Sequence, residues 1–218
     1  MTSGTDMARA RARMVERQLE ARGIRDTRVL AAMRAVRREL FVPPDRKRQA
    51  YDDTALDIGE GQTISQPYIV ALMLELARVS EGDRVLEVGA GSGYGAAVLA
   101  RLARDVTAIE RHSALVAAAR RNLAAAGADT VEVVHGDGTQ GLARHAPFDV
   151  IIVSAGGALP VALETQLSIG GRLVMPVGGS RHQSLKRITR RSARDFDEED
   201  FGPVAFVPLV PEPAPGDD

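Results

Sequence analysis

The chain has 218 residues, 44% of them apolar, and a formal net charge of −1. That length and apolar content suit one globular domain with a substantial core, and the near-neutral balance lacks the basic excess of a general nucleic-acid binder. Cysteine is absent, which excludes disulfides, thiolate nucleophiles and cysteine-based zinc sites.

In chain order, residues 7–22 read as a helix stopped by Gly23. Asp26 caps a second helix running through Val36, and Pro43-Pro44 ends that region. Residues 46–48 form a short basic run of the kind expected on a solvated face. An apolar-periodic run follows over residues 68–79; Ser65 is placed as its N-cap, with Pro67 in the first turn. From Asp83 the pattern changes. Residues 84–88 form a short apolar strand, then come a glycine-rich turn and an Ala-rich helix to about Ala103. Residues 106–109 are a second strand, Ser113 caps a helix running to Gly127, and residues 131–134 are a third strand. Residues 148–153 are a fourth strand, 160–167 a helix and 172–177 a fifth strand. This alternation predicts an α/β fold: a doubly wound, Rossmann-like, mostly parallel sheet with helices on both faces.

Residues 185–190 and 204–209 read as two further strands with no helix between them, hence an antiparallel edge at the C-terminus. The acidic stretch 195–200 is expected to be a solvated loop, and the Pro- and Asp-rich tail 211–218 to be disordered. The expected layout is a single domain over 1–210, with N-terminal helices in about 7–60, a cofactor-binding core in about 61–178 and edge strands in about 182–210. His112, His135, His145 and His182 have no metal-ligand spacing. No secretory signal and no membrane-spanning apolar run is visible, so the expectation is a cytoplasmic protein with no membrane partner.

Glu87-Val-Gly-Ala-Gly-Ser-Gly93 lies between a strand and a helix. Glycines there let the backbone approach a ligand closely. The cofactor is open from the loop alone, because Gly91-Ser-Gly-Tyr-Gly-Ala96 also fits a dinucleotide fingerprint. Glu110, ending the next strand, sits where an acid holds ribose hydroxyls of either cofactor class; the alternative is an ordinary strand-end carboxylate. Two features favour methyl transfer. Glu87 lies two positions before the first glycine, where it can accept hydrogen bonds near an amino-acid moiety. His135-Gly-Asp-Gly138 follows the third strand, where Asp137 can accept from an adenine amino group, although Gly-Asp-Gly is also strong turn chemistry. A short-chain dehydrogenase pair is missing: Tyr51, Tyr68 and Tyr94 have no lysine four residues on. Among methyl transfers, the covalent route to cytosine C5 needs a cysteine, and no Asn-Pro-Pro-Tyr or Asp-Pro-Pro-Tyr motif for base amines is present.

Ile58-Gly-Glu-Gly-Gln-Thr-Ile-Ser-Gln-Pro-Tyr68 resembles the hallmark segment of protein-L-isoaspartate O-methyltransferases. Residues 85–94, 135–138, 146–149, 170–178 and 206–209 resemble later blocks of that family in the same order. The resemblance spans about residues 14–210. It implies S-adenosyl-L-methionine as cofactor and isoaspartyl peptides and proteins as substrates. It implies Ser65 as the active-site serine, with Gln62, Thr63 and Ile64 as a strap beside cofactor and substrate. The expected cofactor set is then Gln62, Thr63, Ile64, Glu87, Gly89, Ala90, Gly91, Ser92, Gly93, Glu110, Gly136, Asp137 and Gly138. No metal is implied, no nucleic-acid partner, and a monomer is expected. Residues 206–209 are a candidate wall of the peptide groove, or simply a buried edge strand. One departure stands out: Ser154-Ala-Gly-Gly-Ala-Leu-Pro160 replaces the family's Thr-Ala-Ala-Pro-like stretch. Rival readings are a small-molecule O-methyltransferase, a cofactor-binding module without catalysis, and a nicotinamide-dependent oxidoreductase; fold alone does not separate them.

Overall fold

Apolar side chains that alternate along the central strands need cover on both sides of a sheet. In β3 (Arg84–Val88), Val85 joins one apolar cluster while Leu86 and Val88 join another. In β6 (Phe148–Val153), Val150 and Ile152 fall in the first cluster, Ile151 and Val153 in the second. The first cluster is the larger and takes in α1 (Gly4–Met14), α2 (Thr27–Ala35), α3 (Pro67–Ala77), α4 (Tyr94–Leu99) and α5 (Ser113–Ala125). The second is covered by α6 (Val161–Thr165) and by loop residues around Leu142. A computed structural model of the chain describes residues 4–179 and 181–211.

The sheet has seven strands in the order β5-β4-β3-β6-β7-β8-β9. The others are β4 (Asp105–Glu110), β5 (Glu132–His135), β7 (Leu167–Gly179), β8 (His182–Arg190) and β9 (Phe196–Val204). Strands β3 to β7 run parallel, and β7-β8 and β8-β9 pair antiparallel. The expected Rossmann-like sheet with an antiparallel C-terminal edge is therefore present. A separate antiparallel hairpin, β1 (Leu56–Gly59) and β2 (Gln62–Ile64), lies outside it. Its turn residues Glu60 and Gly61 both have positive φ, 53° and 67°, as a tight two-residue hairpin turn requires.

Several local expectations need correction. The first helix is not continuous to Arg22: α1 ends at Met14, and a π turn and a 3₁₀ turn lead to Gly23, which stops the chain at φ 103°. Asp26 does cap α2, accepting from Arg28 N and Val29 N. Ser65 is not the cap of α3. That position falls on Gln66, and it has no side-chain cap bond. Pro67 drives the residue before it into extended geometry, and Gln66 has φ −49° and ψ 137°. Ser113 is likewise the first helical residue of α5, with His112 at the cap.

Residues 196–200 of the acidic stretch are strand, not loop. Its charges pair with β8, where Lys186 meets Glu198 and Arg187 meets Glu199; charged residues suit an edge strand. Of the strand expected over 204–209, Val204 ends β9; residues 205–209 lie beyond it and, among the described residues, form one isolated bridge, Gly156 to Pro208. From residue 212 on, the tail lies outside the described residues.

Candidate active site

Segments far apart in sequence meet at the carboxyl ends of β3, β4 and β6. The glycine loop follows β3, Glu110 ends β4, and Ser154 and Ala155 follow β6. The β2 strap and residues 207–210 complete a cleft of about 1020 Å³, its open mouth included. Strand order reverses at β3, which has β4 on one side and β6 on the other. Open α/β sheets bind ligands at such a switch point.

The loop amides are mostly committed within the protein. Gly89 N and Ala90 N donate to Ile109 O at 2.9 and 3.1 Å, and Gly93 N donates to Ala90 O at 2.8 Å. Gly91 N donates to Glu110 Oε2 at 2.9 Å, and His112 N donates to Glu110 Oε1 at 2.9 Å. A pyrophosphate site needs a nest of free amides, and this loop does not offer one. Glu110, only 5% exposed, is pinned by these two bonds and keeps lone pairs for hydroxyl donors.

Glu87 is 3% exposed. Its Oε1 occupies the space that a Cβ on Gly95 would fill, which explains that glycine. Its Oε2 has no hydrogen-bond partner among the described residues. Burial pushes the carboxyl up to about 8; the nearby Glu110 charge adds to the rise, and a bond from the Ala96 amide opposes it. Two carboxyl groups thus line the cleft, and a cation beside the buried Glu87 would favour its ionised form, so the pair suits a ligand that carries positive charge and hydroxyl groups.

Of the residues expected from sequence, Gln62, Thr63, Ile64, Ser65, Glu87, Gly89, Ala90, Gly91, Ser92, Glu110 and Gly138 line the cleft. Gly93, Gly136 and Asp137 are not part of its lining. Gly93, at φ 89°, lets the turn pack on Ala119 and Leu123. Gly136 N donates to Glu110 O at 3.0 Å. Asp137 Oδ1 accepts from Thr139 N and Oγ1 at 2.8 and 2.7 Å, the turn role that Gly-Asp-Gly also allowed. Sequence reasoning did not single out Arg111, His112 or Ser154 for the lining; only their places just after strands β4 and β6 would have signalled them.

The Ser65 hydroxyl makes no hydrogen bond to protein among the described residues, so it is available to a ligand. The Ser65 carbonyl accepts from Arg38 Nη2 at 2.8 Å, and Arg38 Nε donates to Ala50 O at 2.8 Å. Arg38 is 0% exposed and lies over the Tyr94 ring at 4.7 Å. A second groove lies beside the cleft, bounded by residues such as Arg22, Tyr68, Phe201 and Phe206. Arg22 stacks on the Tyr68 ring at 3.8 Å and pairs with Asp53 at 3.0 Å. Thr63, Ser65, Ser154 and Val207 line both cavities, so the two adjoin there.

The family model for protein-L-isoaspartate(D-aspartate) O-methyltransferase matches residues 9–214. The chain belongs to this family. It is 60% identical over 206 residues to the protein-L-isoaspartate O-methyltransferase of Methylorubrum extorquens, covering 94% of this chain and 90% of that one. To the protein of the same name from Methanoregula boonei it is 54% identical over 211 residues, covering 96% and 97%. A Plasmodium falciparum structure described as a protein-L-isoaspartate O-methyltransferase in complex with S-adenosyl-L-homocysteine aligns with TM-score 0.81 and 27% identity, over 92% of this chain and 98% of that one. In the stretch 154–160, expected to depart from the family's pattern, the glycine at 156 has a local cause. The Gln183 side chain stands where a Cβ on Gly156 would be.

Proposed function

We propose that the chain transfers the methyl group of S-adenosylmethionine to the free α-carboxylate of L-isoaspartyl residues in damaged proteins and peptides, initiating their repair. One observation carries this reading within the family: an acid-lined cleft and a second groove adjoin at Thr63, Ser65, Ser154 and Val207. The cleft fits the cofactor. Glu110 would hold ribose hydroxyls, the unpartnered Glu87 oxygen would face the cationic end, and the glycine loop would let that ligand lie close. Bound there, S-adenosylmethionine supplies an electrophilic methyl group on a positively charged sulfur.

The acceptor is an α-carboxylate, whose ordinary pKa of about 3.5 leaves it ionised at neutral pH. No general base is needed, and the protein's tasks are alignment and exclusion of water. Ser65 orients the carboxylate through its free hydroxyl, while Arg38 holds the Ser65 backbone in place. The product ester then closes to a succinimide without further help from the protein, and the succinimide reopens partly to normal aspartate. We read residues 1–210 as one methyltransferase unit, acting as a monomer in the cytoplasm and without a nucleic-acid partner. No helix among the described residues is long and apolar enough to cross a membrane.

The test is radiolabelled methyl transfer to paired isoaspartyl and aspartyl peptides of identical sequence, read as base-labile ester. The isoaspartyl linkage lengthens the main chain by one methylene and shortens the arm that carries the carboxylate. A misplacement of about 1 Å costs on the order of a hundredfold in rate, so the aspartyl peptide should be a very poor acceptor. Equal labelling of both, or labelling of a small carboxylic acid alone, would overturn the reading.

A further inference from the structure

Residues 205–209 form the wall between cleft and groove: Phe206 lines the groove, Leu209 the cleft, and Val207 both. This wall lies outside the regular sheet, so something other than a strand ladder must hold it. Phe206 N donates to Gln183 Oε1 at 2.8 Å, and Gln183 Nε2 donates to Phe206 O at 3.2 Å. A primary amide offers the same donor and acceptor as a peptide group, so the Gln183 side chain stands in for a neighbouring strand. The next partner is Gly156. Its amide donates to Val207 O at 2.8 Å, and its carbonyl accepts from Leu209 N at 2.8 Å. A Cβ on Gly156 would overlap the Gln183 amide. The two anchors of the wall are therefore mutually dependent. Gln183 is not needed for this in its own strand, because its backbone already pairs with Val204 of β9.

We propose that Gln183 is a positioning residue for the methyl acceptor: it fixes the wall of the peptide groove, and residue 156 is glycine because the Gln183 amide needs that space. The proposal rests on the functional reading above. Gln183→Ala removes both bonds and leaves β8 paired. The isoaspartyl-peptide KM should rise about tenfold, the scale of one to two lost hydrogen bonds. The kcat and the S-adenosylhomocysteine Kd should each stay within about threefold, since Glu87, Glu110 and Ser65 are untouched. Gly156→Ala should raise KM in wild-type protein by displacing the Gln183 amide. In a Gln183→Ala background it should add almost nothing, a coupling that independent sites do not show. Gln183→Glu, which keeps the acceptor for Phe206 N but loses the donor, should fall between. Hydrogen exchange at the Phe206 and Leu209 amides should speed up in Gln183→Ala, and this readout needs no turnover. An unchanged peptide KM in Gln183→Ala overturns the proposal, as do additive effects of the two substitutions. If the wild type methylates no isoaspartyl peptide, the functional reading fails and the exchange data decide the clamp alone: faster exchange upholds it, unchanged exchange overturns it.

Discussion

At the scale of single residues, Glu87 sets a pH dependence that can be measured. Its carboxyl is raised from the usual value of 4.5 to about 8, chiefly by burial. Between those values the folded protein holds a proton that the unfolded chain releases. The associated stability is fully present below about pH 4.5 and is lost as pH rises through about 8. Urea unfolding at pH 6 and pH 9 should show this loss, on the order of a few kcal/mol, in wild type. Glu87→Gln, which is neutral throughout, should flatten that part of the profile; an equally steep fall in the variant would refute the assignment. Ser65 tests a different point. Because it does not cap α3, Ser65→Ala should change stability by no more than about 0.5 kcal/mol while turnover drops. Ser65→Asp should fold as well and turn over more slowly still, since its charge opposes the acceptor carboxylate. Wild-type turnover in Ser65→Asp would return Ser65 to a passive role. The glycines and Glu87 were legible in the sequence because they sit in one continuous motif, and Glu110 because it ends the strand that follows. The cap was misplaced by one residue because the restraint that Pro67 puts on Gln66 outweighs the capping preference of serine.

At the scale of elements, the strap carrying Ser65 was not legible as a hairpin. Ile58-Gly-Glu-Gly-Gln62 has no apolar alternation, and its strand character comes from a turn at positive φ rather than from burial. Its anchor was equally hidden. Arg38 joins the Ala50 and Ser65 carbonyls across 12 and 27 residues of sequence, a contact no local pattern encodes. A lysine has one compact ammonium where arginine has a planar fork. Arg38→Lys should therefore lose the double anchor and reduce kcat on the isoaspartyl peptide about tenfold or more. Near-UV circular dichroism would check that the variant folds, and unchanged kcat would show that the strap needs no such anchor. The edge strand β9 was misread for a related reason. A run of acids looks like a loop until the Lys186 and Arg187 side chains of β8 are placed opposite it.

At the scale of the whole molecule, the parallel core was legible because strands covered on both faces read as short apolar runs. The same architecture puts the cleft at the switch point of the sheet, where a ligand touches β3, β4 and β6 at once. Ligand binding should then be felt as global stability. S-adenosylhomocysteine at a hundred times its Kd should add about 2.7 kcal/mol, which for a chain of this size raises Tm by about 5–10 °C. NAD at the same concentration should leave Tm unchanged, since the loop amides it needs are already taken. A shift with NAD and none with S-adenosylhomocysteine would reverse the cofactor assignment.

The side-by-side placing of cleft and groove also bears on which damaged proteins the proposed activity can serve. In the proposed reaction a carboxylate reaches the methyl donor beside Thr63, Ser65, Ser154 and Val207, which line both cavities, with the flanking main chain laid along the groove. A residue locked inside a helix or a sheet cannot present itself that way. Damage in loose segments is therefore corrected first, while the same lesion in a rigid host waits on local opening of that host. Repair then reports on the flexibility of its clients as much as on their chemistry.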